Sequence, residues 1–276
     1  MTFKQALDKG IVLLESENIA DAKIDAWYLL SYVSGLSKAQ YFLKQSEEID
    51  NNILYKYKDV LLRRAGHEPL QHITGEQDFM GITFWVNENV LIPRQDTETL
   101  VEEALKVIPS GSHILDLCTG SGCVILSLVV LGQGLSGIGV DISEEALAVA
   151  RENGARLVGR KADFVKGDMF QPVSGKFNAI VSNPPYIPSA VVEELEPEVK
   201  DHEPRLALDG TADGLFFYKK ITSEAGDYLN DGGWLLVEIG YDQGPDVSAL
   251  FKEAGFKDVE VIKDLAGNDR VVKGHL

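Results

Sequence analysis

His113-Ile114-Leu115-Asp116-Leu117-Cys118-Thr119-Gly120-Ser121-Gly122 carries a short apolar run into a glycine turn. An apolar stretch of about ten residues follows, which predicts a strand, a tight turn and a buried helix. The same grammar repeats downstream. Ile138-Gly139-Val140 predicts a second strand ending at Asp141, and Ser143 is placed to cap the next helix, with Glu144 and Glu145 in its first turn. Phe164-Val165 leads into Gly167-Asp168, and Asn178–Val181 into Asn183-Pro184-Pro185-Tyr186. Trp234–Ile239, a helix over about 244–254, and late strands at Val259–Ile262 and Arg270–Val272 complete the set. Strands alternating with helices predict an α/β fold, an open and mostly parallel sheet covered on both faces.

Upstream the grammar differs. Residues 1–75 hold only 4 of the 26 glycines and 1 of the 10 prolines, so turns are scarce there. Phe3, Leu7, Ile11 and Leu14 recur at helical spacing, as do Ile24, Trp27 and Tyr28, and then Ile53, Tyr57, Val60 and Leu61. A small helical bundle is expected, with breaks near Ser16–Asn18 and Ser46–Asn52. Trp27, Tyr28 and Trp85 read as core or interface aromatics. Between bundle and sheet, Phe79, Ile82, Phe84 and Val86 alternate in part around Gly81, which predicts a β-hairpin. The expected organisation is thus a bundle over 1–75, a hairpin linker over 76–93 and an α/β domain over 94–276.

The 276 residues are 45% hydrophobic and 25% charged, which excludes a disordered or disulfide-framework chain. The formal net charge is −17, and it is uneven: residues 1–75 net −1, the remainder −16. Such a field repels phosphate backbones and anionic membranes and favours a basic protein partner. The only two cysteines, Cys118 and Cys123, are too few for a metal site, and none is expected. They read as reduced thiols. The opening Met1-Thr2-Phe3-Lys4-Gln5 lacks a signal-peptide core, and the longest apolar stretch falls short of the ~20 residues that span a bilayer, so a cytoplasmic location is expected.

In an open α/β sheet, ligands bind beyond the carboxyl ends of the strands. Four such ends carry polar motifs. Gly120 and Gly122 allow close backbone approach to a ligand, but Ile125 stands where a dinucleotide fingerprint needs glycine or alanine. This disfavours a pyrophosphate and leaves room for a nucleoside. Asp141 suits ribose hydroxyls, or simply flanks a helix. Asp168 suits an adenine amino group with Met169 on the ring face, or is a solvated turn. The most informative end is Asn183-Pro184-Pro185-Tyr186. Two prolines stiffen the loop, and the Asn183 side-chain oxygen and Pro184 carbonyl together match a planar –NH2 group, with Tyr186 as an aromatic wall. That pair of acceptors predicts methylation of an amide or amino nitrogen, with S-adenosylmethionine as donor and S-adenosylhomocysteine as product. A further segment, Ile92-Pro93-Arg94-Gln95-Asp96-Thr97-Glu98, precedes a helix. Arg94 is placed to pair with a carboxylate or to contact the cofactor, and Asp96 to cap.

The chain resembles the release factor glutamine methyltransferases of the HemK/PrmC type over nearly its whole length. The resemblance is carried by Glu68-Pro69-Leu70-Gln71-His72-Ile73-Thr74-Gly75-Glu76, Leu91-Ile92-Pro93-Arg94, Asp116–Gly122, Asn183-Pro184-Pro185-Tyr186-Ile187-Pro188, His202-Glu203-Pro204-Arg205-Leu206-Ala207-Leu208 and Gly267-Asn268-Asp269-Arg270-Val271-Val272. It implies a seven-stranded, Rossmann-like class I S-adenosylmethionine-dependent methyltransferase domain behind a helical bundle that recognises the release factor. It implies methyl transfer to the side-chain amide of the glutamine in the Gly-Gly-Gln motif of peptide chain release factors. Cys118, Thr119, Gly120, Ser121, Gly122, Asp141 and Met169 then face the cofactor, with Asp168, Arg94 and Asn183 as further cofactor candidates, and Asn183, Pro184, Pro185 and Tyr186 hold the glutamine. Two positions depart from the family pattern: Gln95 stands where proline is common, and Cys118 where glycine often is. Two rivals compete with this reading. A nucleic-acid adenine methyltransferase shares the Asn-Pro-Pro-Tyr motif but predicts a basic groove. A non-catalytic S-adenosylmethionine-binding module predicts an eroded acceptor loop.

Overall fold

A computed structural model describes residues 1–276, which fold as two units. One comprises Met1–Gly75 together with Glu196–His202, the other Glu76–Leu195 together with Glu203–Leu276. No helix is long and apolar enough to cross a membrane.

The first unit is helical: α1 (Phe3–Ser16), α2 (Ala22–Ser34), α3 (Lys38–Lys44), α4 (Asn51–Ala65) and α5 (Leu70–Thr74). Thr2 and Gln5 form a reciprocal cap at α1, and Ser37 and Gln40 another at α3. Gly35, in the left-handed region, ends α2 and adds a break that the periodicity did not signal. At Gly10 a Cβ would lie 2.3 Å from the Tyr57 hydroxyl, so glycine here lets α1 approach α4. That hydroxyl donates to the Ala26 carbonyl of α2 at 3.0 Å. The expected core face of α2 requires correction. Ile24 and Tyr28 are exposed, and the buried residues are Ala22, Asp25, Ala26, Leu29 and Leu30. Asp25 enters the interior because Arg64 of α4 meets it at 2.6 Å, and an apolar periodicity count cannot see a charged residue on the buried stripe.

The second unit opens with β1 (Glu76–Phe79) and β2 (Ile82–Trp85), an antiparallel hairpin. Met80 and Gly81 both have positive φ at its turn, the conformation that matches strand twist. After α6 (Glu98–Val107) come β3 (His113–Leu117), α7 (Cys123–Leu131), β4 (Ser136–Asp141), α8 (Glu144–Leu157), β5 (Ala162–Lys166) and β6 (Phe177–Ser182). Three one-turn helices follow, α9 (Ser189–Val192), α10 (Pro197–Lys200) and α11 (Arg205–Leu208), of which α10 belongs to the first unit. Then come α12 (Phe216–Tyr228), β7 (Leu229–Glu238), α13 (Gly244–Glu253), β8 (Lys257–Lys263) and β9 (Asp269–His275). The sheet has seven strands in the order β5-β4-β3-β6-β7-β9-β8, parallel from β5 to β7, with β9 antiparallel to both of its neighbours.

Both faces of the sheet are covered. On one, Leu115, Leu117 and Ile180 pack with Tyr218 and Ile221 of α12 and Phe251 of α13. On the other, Ile114, Ala179 and Val181 pack with Leu100 of α6 and Leu126 of α7. Burial on both faces explains why these strands read as continuous apolar runs rather than alternating ones. Every carboxyl end from β5 to β7 therefore points its polar residues toward one edge of the sheet.

Candidate active site

The ends of β3, β4, β5 and β6 border a cleft of about 1160 Å³ including its open mouth. At its base the β3 turn is tightly bonded. Thr119 donates its hydroxyl to Asp116 at 2.6 Å, and Gly120 N–H donates to Asp141 Oδ2 at 2.9 Å. The second Asp141 oxygen accepts from Ser143 N–H at 3.0 Å. Ser143 caps α8 as expected, its hydroxyl accepting from Ala146 N–H. Asp141 is thus a half-buried carboxylate fixed by two backbone donors, with lone pairs left over on the cleft side. Burial raises its pKa, opposed by those backbone hydrogen bonds.

Three residues around the cleft have left-handed backbones: Gly120 (φ 55°), Cys118 (φ 59°) and Met169 (φ 56°). For the two that are not glycine this conformation is strained, and such strain gathers at functional sites. The Cys118 and Met169 sulfurs lie 3.8 Å apart. Burial pushes the Cys118 thiol well above its ordinary value and the Cys123 thiol up to about 12, so both stay protonated. At Gly120 nothing lies within 4 Å of where a Cβ would stand, which leaves open space over the turn.

Asn183 and Pro185 line the cleft; both prolines are buried, and Pro184 is not part of the lining. The Tyr186 ring packs against the core, and its hydroxyl donates to Glu238 Oε1 at 3.3 Å. The loop is held from behind. Gln243 donates to the Tyr186 carbonyl at 3.1 Å, and a Cβ at Gly214 would lie 2.3 Å from that same oxygen. Ser182 donates to the Leu117 carbonyl at 2.7 Å and so ties the end of β6 to the end of β3. The Asn183 side-chain NH2 donates to the Thr97 hydroxyl at 3.2 Å, which leaves Oδ1 toward the cleft.

Of the residues singled out in the sequence, the structure brings Arg94, Cys118, Thr119, Gly120, Ser121, Asp141, Asp168, Met169, Asn183 and Pro185 to the cleft wall. Gly122, Pro184 and Tyr186 support it without lining it; Gly122 is the N-cap of α7 with φ 79°. Arg94 pairs with Glu203 at 2.5 Å, and Asp168 with Lys220 at 2.8 Å. Asp96 does not cap α6 as expected; no side chain caps that helix, and Asp96 lies 3.1 Å from Arg270. Sequence reasoning missed Thr97 and Glu238, both almost fully buried. The available signal for Glu238 was a carboxylate closing the apolar run Trp234-Leu235-Leu236-Val237 at a strand end.

Two family profiles match the chain: one described as PrmC N-terminal domain over residues 5–75, and one described as Methyltransferase small domain over residues 95–195. A solved methyltransferase from Pyrococcus furiosus shares the fold, with a TM-score of 0.54 and 19% identity over 71% of this chain and 90% of that one. The sheet order, the cleft and the second profile define an enzyme of the methyltransferase class. A release factor glutamine methyltransferase from Geobacter sulfurreducens is 40% identical over 276 residues, covering 100% of this chain and 97% of its own. One from Caulobacter vibrioides is 43% identical over 265 residues, covering 95% and 92%. The chain belongs to the release factor glutamine methyltransferase family.

Proposed function

We propose that this enzyme transfers a methyl group from S-adenosylmethionine to the side-chain amide nitrogen of the glutamine in the Gly-Gly-Gln motif of peptide chain release factors. The observation that carries the reading is Asn183 at the end of β6, with its NH2 held by Thr97 and its oxygen left to the cleft. An amide nitrogen is a poor nucleophile because its lone pair is delocalised. Its two hydrogens need two acceptors: Asn183 Oδ1 at the cleft wall is one, and in this reading the carbonyl of Pro184, the buried residue beside it, is the other. Held this way, the nitrogen is aimed rather than deprotonated in advance. Orientation of this kind contributes ~7–11 kcal/mol in favourable cases.

The donor set fits a nucleoside. The Asp141 carboxylate suits two ribose hydroxyls, the open space over Gly120 admits close backbone approach, and Asp168 with Met169 suits an adenine edge and face. S-adenosylmethionine supplies an electrophilic methyl on a sulfonium. The protein's part is to fix the two reactants and keep bulk water from the reacting nitrogen. The helical unit is assigned to recognition of the release factor, and the acidic α/β unit favours a basic partner. A cytoplasmic setting, where translation terminates, follows from this reading.

The test uses labelled methyl donor with a release factor and with a copy whose Gly-Gly-Gln glutamine is replaced. Label on the first only is expected. Label on both proteins, or on tRNA or DNA instead, overturns the assignment.

A further inference from the structure

Behind Asn183 lies a polar group that no cleft contact explains. Glu238, at the end of β7, is 2% exposed, and its Oε2 has no hydrogen-bond partner. Its Oε1 accepts from Tyr186. The nearby cation Arg270 directs its N–H groups to Asp264, at 3.0 and 3.2 Å, and to the Ile239 carbonyl. The Thr97 hydroxyl, 2% exposed as a residue, lies close enough to the Glu238 carboxylate to favour its ionised form. The same hydroxyl oxygen receives the Asn183 NH2.

A hydroxyl has one hydrogen and two lone pairs. Above about pH 7, where Glu238 is ionised, the Thr97 hydrogen turns toward it, and only lone pairs face Asn183. Of the two amide orientations open to Asn183, this selects the one with NH2 toward Thr97 and Oδ1 toward the cleft. The opposite orientation would set an NH2 group against the substrate's own NH2, and two donors repel. We propose that Thr97 and Glu238 are positioning residues that lock the Asn183 amide in its acceptor orientation. This rests on the reading that Asn183 holds the glutamine amide.

An orientation lock can be inverted by substitution, whereas simple packing cannot. Glu238→Gln keeps size and shape but offers an N–H to Thr97. The Thr97 hydrogen then turns toward Asn183, and the favoured Asn183 orientation flips. Thr97→Val removes the hydroxyl at nearly constant volume, and Thr97→Ser keeps it.

The experiment measures kcat, KM for the release factor and calorimetric affinity for S-adenosylmethionine in Thr97→Val, Thr97→Ser, Glu238→Gln, the double variant and Asn183→Ala. Thr97→Val and Glu238→Gln are expected to lower kcat at least tenfold with donor affinity within twofold, and Thr97→Ser to recover most of the turnover lost in Thr97→Val. The double variant should be no slower than the worse single one, because one orientation is lost only once. If Asn183→Ala is slow while Thr97→Val and Glu238→Gln turn over normally, the relay is wrong and the glutamine-holding role stands. If Asn183→Ala turns over normally, that role itself fails. Should Glu238→Gln not fold, the Thr97 pair decides alone.

Discussion

The helical unit buries one carboxylate, Asp25, against a guanidinium, whereas the sheet unit, besides the ion-paired Glu103, Glu203 and Asp264, buries two, Asp116 and Glu238, with no cation in direct contact. In the bundle, Asp25 is met directly by Arg64, which also reaches Glu198 at 2.7 Å and the Glu68 carbonyl at 3.1 Å. Each nitrogen of the Arg64 guanidinium is answered by an acceptor. In the sheet unit, Asp116 and Glu238 are buried with only hydroxyl or backbone donors in direct contact, and burial pushes each up to about 7. The lesson is that a carboxylate paired with a guanidinium is a fastening. One left among neutral donors, beside a cleft, is a group whose proton and orientation are available for work.

Breaking the fastening should have the largest effect. Arg64→Ala strands Asp25 in an apolar interior, which costs about 3–5 kcal/mol for a buried pair that loses one partner. Urea unfolding should show that loss at neutral pH and a smaller one in acid, where Asp25 takes up a proton. A loss under 1 kcal/mol would mean that the Asp25 pocket admits water and the contrast between the units is false.

Glu238 offers the converse experiment. Its ordinary value is 4.5 and burial raises it to about 7, with the nearby Thr97, Arg270 and Tyr186 pulling the other way. Between those values the folded protein keeps a proton that the unfolded chain releases. The stability it contributes is complete below pH 4.5 and is lost as pH rises through 7. Relative to Glu238→Gln, the wild type should therefore lose stability across this window, by on the order of 3 kcal/mol at ~1.4 kcal/mol per tenfold in acidity. Parallel stability curves for the two proteins would show that Glu238 is ionised throughout.

A smaller effect is expected at Asp141. Asp141→Ala removes the two backbone anchors of the β3 and β4 turns along with the ribose acceptor, and donor affinity should fall roughly 10–100-fold, the loss of a hydrogen-bonded charged acceptor. Unchanged affinity by calorimetry would remove Asp141 from the cofactor site. The smallest effect belongs to Cys118→Gly. Relief of the left-handed backbone offsets the lost side-chain packing, so the melting midpoint should move by no more than about 1 kcal/mol in equivalent stability. A larger loss would show that the contact with Met169 matters more than the backbone strain.

The two units also differ in what their residues announced. In the sheet unit the strand ends were legible, because each apolar run stops at a glycine, a carboxylate or a proline pair. Gly120, Asp141, Asp168 and Asn183 accordingly fall on one cleft. Thr97 and Glu238 were not legible, since their significance lies in a contact between distant segments that no local pattern encodes. In the bundle α1, α2 and α4 were legible from spacing, yet α2 turned a different face inward. Small residues and one paired aspartate occupy its buried stripe, and hydrophobicity alone favours Ile24 and Tyr28. α3 was not legible, since its seven residues are too few for periodicity to register; the Ser37 and Gln40 cap emerged from the structure.

The most direct test of the account compares wild type and Asn183→Ala in methyl transfer to a release factor, with donor affinity measured on the same samples. Turnover should drop about 10²–10³-fold, as when one preorganised polar partner of a reacting group is removed, while the affinity for S-adenosylmethionine stays within twofold. Turnover near the wild-type rate would contradict the account.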